Sequence, residues 1–138
     1  MKKIGLLFMI MVLGILSMTG CAAEPVHTME FVEAKLQDVP FNDDILKCVC
    51  VYTKYTNGSD ETVIPADYVD VNAFQNETEL NIWVFTGEQM DGYNQCDMHV
   101  QAGVTTPIIW IFELNDEETT KVDIELSTGE KHTLEWAQ

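Results

Sequence analysis

Ile45-Leu46-Lys47-Cys48-Val49-Cys50-Val51-Tyr52-Thr53-Lys54-Tyr55-Thr56, followed at once by Asn57-Gly58-Ser59-Asp60, is enough to place this chain among the β proteins. Its twelve residues are rich in β-branched and aromatic side chains, which suit a pleated, half-buried surface. The run predicts a strand, and Asn-Gly, the strongest short hairpin signal, predicts a turn directly after it.

The same grammar extends in both directions. Upstream, Phe31, Glu33 and Lys35 alternate with Val32, Ala34 and Leu36, a period of two that predicts another strand. Asp38 to Asp44 holds Pro40, Asn42 and three aspartates and reads as a loop. Downstream, strands are expected at Val63 to Phe74 with an interruption near Pro65, at Leu80 to Phe85, at Met98 to Gln101, at Ile108 to Leu114, at Val122 to Leu126 and at His132 to Trp136. Turns fall at Asn76 to Glu79, Asn115 to Glu118 and Thr128 to Glu130, and a long polar loop spans Thr86 to Cys96. Seven to nine short strands with turn signals between them predict an all-β sandwich or small barrel. The expected core is Ile45, Val49, Val51, Val71, Phe74, Ile82, Val84, Ile109, Ile111, Val122, Ile124 and Leu126, with Trp83 and Trp110 as large fillers.

The first twenty residues follow a different logic. Lys2 and Lys3 precede an apolar run from Ile4 to Leu16, and Ser17-Met18-Thr19-Gly20-Cys21 follows. A basic start, a short apolar core and small residues form an export signal. The run has 13 residues broken by Gly5 and Gly14, short of the roughly 20 that a membrane-spanning helix needs. Cys21 stands where a bacterial lipobox places the acylated cysteine, although Met18 replaces the usual Leu; ordinary secretion and an uncleaved anchor are the rival readings. The chain thus divides into a signal peptide at 1–20, a lipidated tether at 21–28 and one domain at 29–138, held at the extracytoplasmic face of a cell membrane.

Cleavage before Cys21 leaves 118 residues with five Lys, no Arg and 23 acidic residues, a formal charge of −18. Nucleic acid is a poor partner for such a surface, since binding rests on Lys and Arg neutralising phosphates. Cationic partners are attracted, and solubility alone also explains the charge.

Three blocks carry a family resemblance. Cys50 to Glu61, with Tyr55-Thr56-Asn57 and then Ser59-Asp60-Glu61, resembles the strand and turn of small immunoglobulin-like lipoproteins of Gram-positive bacteria. Val71-Asn72-Ala73-Phe74-Gln75-Asn76 with Glu79-Leu80 is similar to their next block, and Gln101-Ala102-Gly103-Val104 with Glu113-Leu114 to a third. The resemblance spans about residues 29 to 127. It implies an immunoglobulin-like antiparallel β-sandwich, a domain of unknown function, and no catalytic residues to carry over. A role as a binding module is fold analogy.

With Cys21 committed to lipid, Cys48, Cys50 and Cys96 remain, so at most one internal disulfide can form. Cys48 and Cys50 share one face of a strand and lie at the upper limit of disulfide reach from each other. Of the possible bridges, Cys48 or Cys50 with Cys96 is the better, with Cys50 the choice; three inert buried thiols, packed as small hydrophobes, are the leading reading beside it. Cys48, Cys50, Cys96 and His99 also make up the ligand set of a tetrahedral zinc site or a copper site, although Cys-x-Cys is tighter than the usual spacing. Histidines are confined to His27, His99 and His132, and no nucleophile elbow, phosphate loop or metalloprotease motif occurs, so enzyme activity is not expected. Two functions stand: an interaction module for a protein or peptide ligand, and a metal- or redox-responsive domain built on the cysteines. A structural envelope component is a third. Met90 and Tyr93, in the long loop, are the expected ligand contacts, with a merely solvated connection as the equal alternative.

Overall fold

The structure, a computed structural model, describes residues 26–84 and 90–138. The signal segment, Cys21, most of the tether, Phe85 at the end of an expected strand and Thr86–Gln89 of the long loop lie outside the described residues.

Among the described residues nine strands form two sheets. The larger contains β1 (His27–Phe41), β2 (Asp44–Asn57), β7 (Thr105–Glu113) and, along the far side of β7, the two short strands β5 (Ile82–Trp83) and β6 (Asn94–Gln95). The smaller runs β4 (Thr78–Glu79), β3 (Val71–Gln75), β8 (Lys121–Leu126), β9 (Lys131–Glu135). All pairings are antiparallel except β6 with β7. The all-β sandwich expected from the sequence is the architecture found.

The core lies between the sheets. Val49, Val51 and Tyr55 of β2 meet Ile108, Trp110 and Phe112 of β7 in one buried cluster with Val71, Ala73, Val122, Ile124 and Leu126 of the smaller sheet. Polar groups trapped there are paired. The Trp110 indole N–H donates to Thr53 Oγ1 at 3.1 Å, and the Thr53 hydroxyl donates to the Ile108 carbonyl at 2.9 Å. Gln75 closes the far corner: its Oε1 accepts from the Asn115 and Asp116 amides, and its Nε2 donates to the Asp116 carbonyl. Each pairing matters because an orphaned buried donor costs about 1–3 kcal/mol.

Several expectations need correction. Asp38 to Asp44 is not a loop: β1 continues to Phe41, and only Asn42 and Asp43 separate it from β2. Pro40 is tolerated because β1 is an edge strand, where one row of backbone donors has no partner strand. Asn42 takes the turn with φ of 54°, a conformation Asn adopts more readily than most residues. The tether is shorter than expected, since His27 and Thr28 already pair with Asn57 and Thr56. The simple alternation of β1 also fails. Val32 is an extra residue between the Phe31–Thr53 and Glu33–Tyr52 pairs, a bulge that reverses which parity faces inward. Met29 and Phe31 before it, and Ala34 and Leu36 after it, therefore all pack on the core.

Asn57-Gly58 makes no tight hairpin. The chain instead crosses to the smaller sheet through a Val63–Val100 bridge and a 3₁₀ turn at Pro65–Asp67. The Asn57 side chain is buried and organises that crossing, with Nδ2 donating to the Glu61 and Val100 carbonyls and Oδ1 accepting from the Ser59 amide. The strand expected at Val63 to Phe74 shrinks to Val71–Gln75, that expected at Leu80 to Phe85 shows Ile82–Trp83 among its described residues, and Met98 to Gln101 contributes only the Val100 bridge. Ile45, Ile82 and Val84, expected in the core, are exposed, while Phe74 and Trp83 are half-buried.

Candidate functional site

A sandwich strand normally shows one face to water. β2 does not: Cys48, Val49, Cys50, Val51, Tyr52 and Thr53 are all buried, and so are Ile108 to Phe112 of β7. Odd-numbered β2 residues face the other sheet. Cys48, Cys50 and Tyr52 face outward, together with Ile109 and Ile111 of β7 and Val39 of β1, and form a second core on the outside of the larger sheet. Leu46, Trp83, Met90 and Tyr93 pack over it. Fully burying a side chain such as Ile109 or Ile111 is worth about 1.5–3 kcal/mol, so this layer is a substantial part of the fold.

Its rim is polar and ordered. The Tyr52 phenol, on a side chain otherwise buried, directs its proton to Gln37 Oε1 and to Asp91 Oδ2, the latter at 2.9 Å. Gln37 Nε2 donates to the same carboxylate oxygen at 3.3 Å. The Tyr93 ring stands edge-on to Tyr52 with centroids 4.7 Å apart, and Lys35 Nζ lies 5.2 Å above the Tyr52 centroid. Backbone bonds in both directions between Met90 and Tyr93 close the turn that presents these groups, with Asp91 at φ 54° and Gly92 at 79°. Asp91 is held below the usual carboxylate range, first by the Tyr52 bond and then by the Gln37 bond. Burial, reinforced by the bond to Asp91, pushes the Tyr52 phenol up.

At the other edge, the Trp83 indole N–H donates to Glu113 Oε2 at 2.9 Å, and its ring meets Phe41 with centroids 4.7 Å apart. Phe41 belongs to the first strand of the sheet and Trp83 to the last, so their contact spans the outer face. The last rung shared with β7 is Cys48–Glu113. Past it the β1–β2 hairpin folds over the outer face, burying Val39 and packing Leu46 on the outer core, and its turn at Asn42 and Asp43 is exposed. Ile45, just after this turn, is 71% exposed. Ile82, whose β7 partner Phe112 adjoins Glu113, is exposed near the same end, and Val84 is exposed one residue past Trp83.

The three thiols are free. Burial pushes Cys48 to about 11, with Glu113 and Asp38 adding to it. Burial pushes Cys50 to about 12, with Cys48 and Asp91 adding to it. Cys96 rises to about 11 for the same first reason, with Asp97 adding to it. All three are thiols rather than thiolates near neutral pH, which is the unreactive form.

The residues singled out from the sequence are thus only partly brought together. Cys48 and Cys50 sit side by side on the outer face. Cys96 packs in the core between the sheets, so the structure does not bring Cys50 and Cys96 together. His99 is exposed and lines a groove of about 260 Å³ with Asn94, Gln101 and Thr106. Among the described residues no group of three or more His, Cys, Asp and Glu gathers to hold a metal, so the Cys48, Cys50, Cys96 and His99 set is not assembled. Met90 and Tyr93 are half-buried and pack on the outer core. Sequence reasoning missed Gln37, Asp91 and the exposed hairpin tip.

A family profile described as a domain of unknown function, DUF5067, matches residues 28–128. The chain belongs to this family. The DUF5067 match runs from β1 through β8 and takes in both cores, the Tyr52 network and the hairpin tip, while β9 and Cys21 fall outside it. No curated protein matches the chain.

Proposed function

We infer that this DUF5067 protein is a lipid-anchored, extracytoplasmic interaction module that contacts a protein partner through the end of the sandwich farthest from the membrane. The export signal and Cys21 support the address, and the two-sheet architecture suits an immunoglobulin-like binding domain. β1 begins six residues after Cys21, a tether of at most about 20 Å. β1 runs 15 residues away from that tether, and its far end curls over the outer face so that Phe41 meets Trp83. The hairpin tip therefore lies at the end of β1 opposite the tether.

The exposure of Ile45 at that tip carries the reading. A solvated tip would hold polar residues, and Asn42, Asp43 and Asp44 beside it are polar. The outer face of the smaller sheet shows what a solvated face looks like here: Lys121, Asp123 and Glu125 alternate along β8, and Lys131, Thr133 and Glu135 answer them across β9. Asp43 and Asp44 precede Ile45, and Lys47 lies on its own face opposite Asp38, so the contact suits a partner that offers apolar side chains with mixed charge around them, the net acidic charge of the chain steering the encounter. The reading is non-enzymatic, and the buried, protonated state of the thiols supports it.

The test has two arms. Cys21→Ala should move the full chain from the membrane fraction to the medium. Ile45→Asp in the native chain should abolish partner capture after crosslinking while leaving localisation unchanged. Membrane retention of Cys21→Ala would contradict the anchor, and unchanged capture by Ile45→Asp would contradict the contact surface.

A further inference from the structure

Cys48 and Cys50 are unexplained by an interaction role. Both are fully buried, both point to the outer face of β2, and the Met90 side chain packs on the cluster that holds them. Residues two apart on a strand have Cα atoms about 6.6–6.8 Å apart, at the limit for a direct disulfide. That spacing suits two sulfurs that straddle an ion better than two that bond to each other. We propose that Cys48 and Cys50, with the Met90 thioether as third donor, form a binding site for Cu(I).

The donor set selects the metal. Zinc wants four N, S or O ligands in a tetrahedron, and no such group assembles among the described residues. Two thiols and a thioether are soft ligands, and Cu(I) is the first-row ion they suit. Binding replaces two S–H bonds by two S–Cu bonds and releases two protons to solvent, with copper remaining Cu(I) throughout. Affinity therefore rises with pH, as for any site whose ligands must lose protons.

The test uses the full chain purified from membranes, titrated anaerobically with Cu(I) in competition with bicinchoninate. One equivalent withdrawn from the chelator, with protection of two of the three thiols from labelling, is the expected result. Met90→Leu keeps the packing volume and should weaken retention at least about tenfold, on the scale seen when groups supporting a metal site are removed. Cys50→Ala should abolish it, and Cys96→Ala, which alters only the other core, should leave it unchanged. Circular dichroism of each variant confirms the fold. Failure to compete with the chelator, or retention unaffected in both Met90→Leu and Cys50→Ala, would overturn the proposal.

Discussion

The Tyr52 hydroxyl lies 2.9 Å from Asp91 Oδ2, joining the middle of the central strand β2 to the turn that covers it. Through this bond and its companion to Gln37, the outer core is fastened along one edge to β1 and to the Met90–Tyr93 turn. Tyr52→Phe keeps the ring and removes the bond. Urea unfolding should show a loss of about 1 kcal/mol.

The same pair gives a pH signature. Asp91 titrates lower in the folded chain than its ordinary value of 3.8, so its contribution to stability is present above that value and is lost as pH falls through the folded value. Stability of the wild type should drop on acidification below about pH 4, and Tyr52→Phe should flatten that part of the curve. Parallel acid titrations of the two proteins, followed by intrinsic fluorescence, check this.

At the alkaline end the sign reverses. The folded thiols sit at about 11, 12 and 11 for Cys48, Cys50 and Cys96, above the ordinary 9.0. Below pH 9 the unfolded thiols are protonated as well, and the full contribution is present. Above it the unfolded chain binds fewer protons than the folded one, so stability falls as pH rises from about 9 toward 12. Metal-free native protein should resist a thiol reagent at pH 8 and react fully once denatured. Rapid labelling of native metal-free protein would contradict the burial of all three.

Asn57 and Gly58 were readable as a turn signal but not as what they are. Asn57 spends its carboxamide inside the domain, and a Cβ on Gly58 would stand 2.5 Å from the Val26 carbonyl oxygen. Asn57→Ala should cost about 1–3 kcal/mol from orphaned acceptors. Gly58→Ala should cost a similar amount, about 1–3 kcal/mol, by forcing the start of β1 away. Thermal melts of the two variants give both values. A neutral Gly58→Ala would show that the backbone approach at Val26 is not obligatory.

The strands that were legible are those with a clean local pattern. Val122 to Leu126 alternates because one face of β8 meets water, and the strand expected at Ile108 to Leu114 announces itself through Ile108, Ile109 and Ile111, although β7 starts three residues earlier, at Thr105, and ends at Glu113. What stayed hidden depends on contacts distant in sequence. Nothing local marks Val32 as a bulge, since only pairing with β2 makes it the extra residue. Nothing local tells Ile45 from Val49, which share a strand and a parity, because the difference is where β7 ends. The second core was half visible in the unbroken apolar run Cys48 to Tyr52, the mark of a strand buried on both faces. Its lid was not, since Asp91 reaches Tyr52 across 39 residues of sequence.

The contact surface at the hairpin tip is tested most directly by placing a photo-crosslinking residue at position 45 of the full chain in living cells, with position 133 on the solvated face of the smaller sheet as control. The account predicts a discrete higher-mass protein adduct from position 45 and none from position 133. Equal adducts from both positions, or none from position 45, would contradict it.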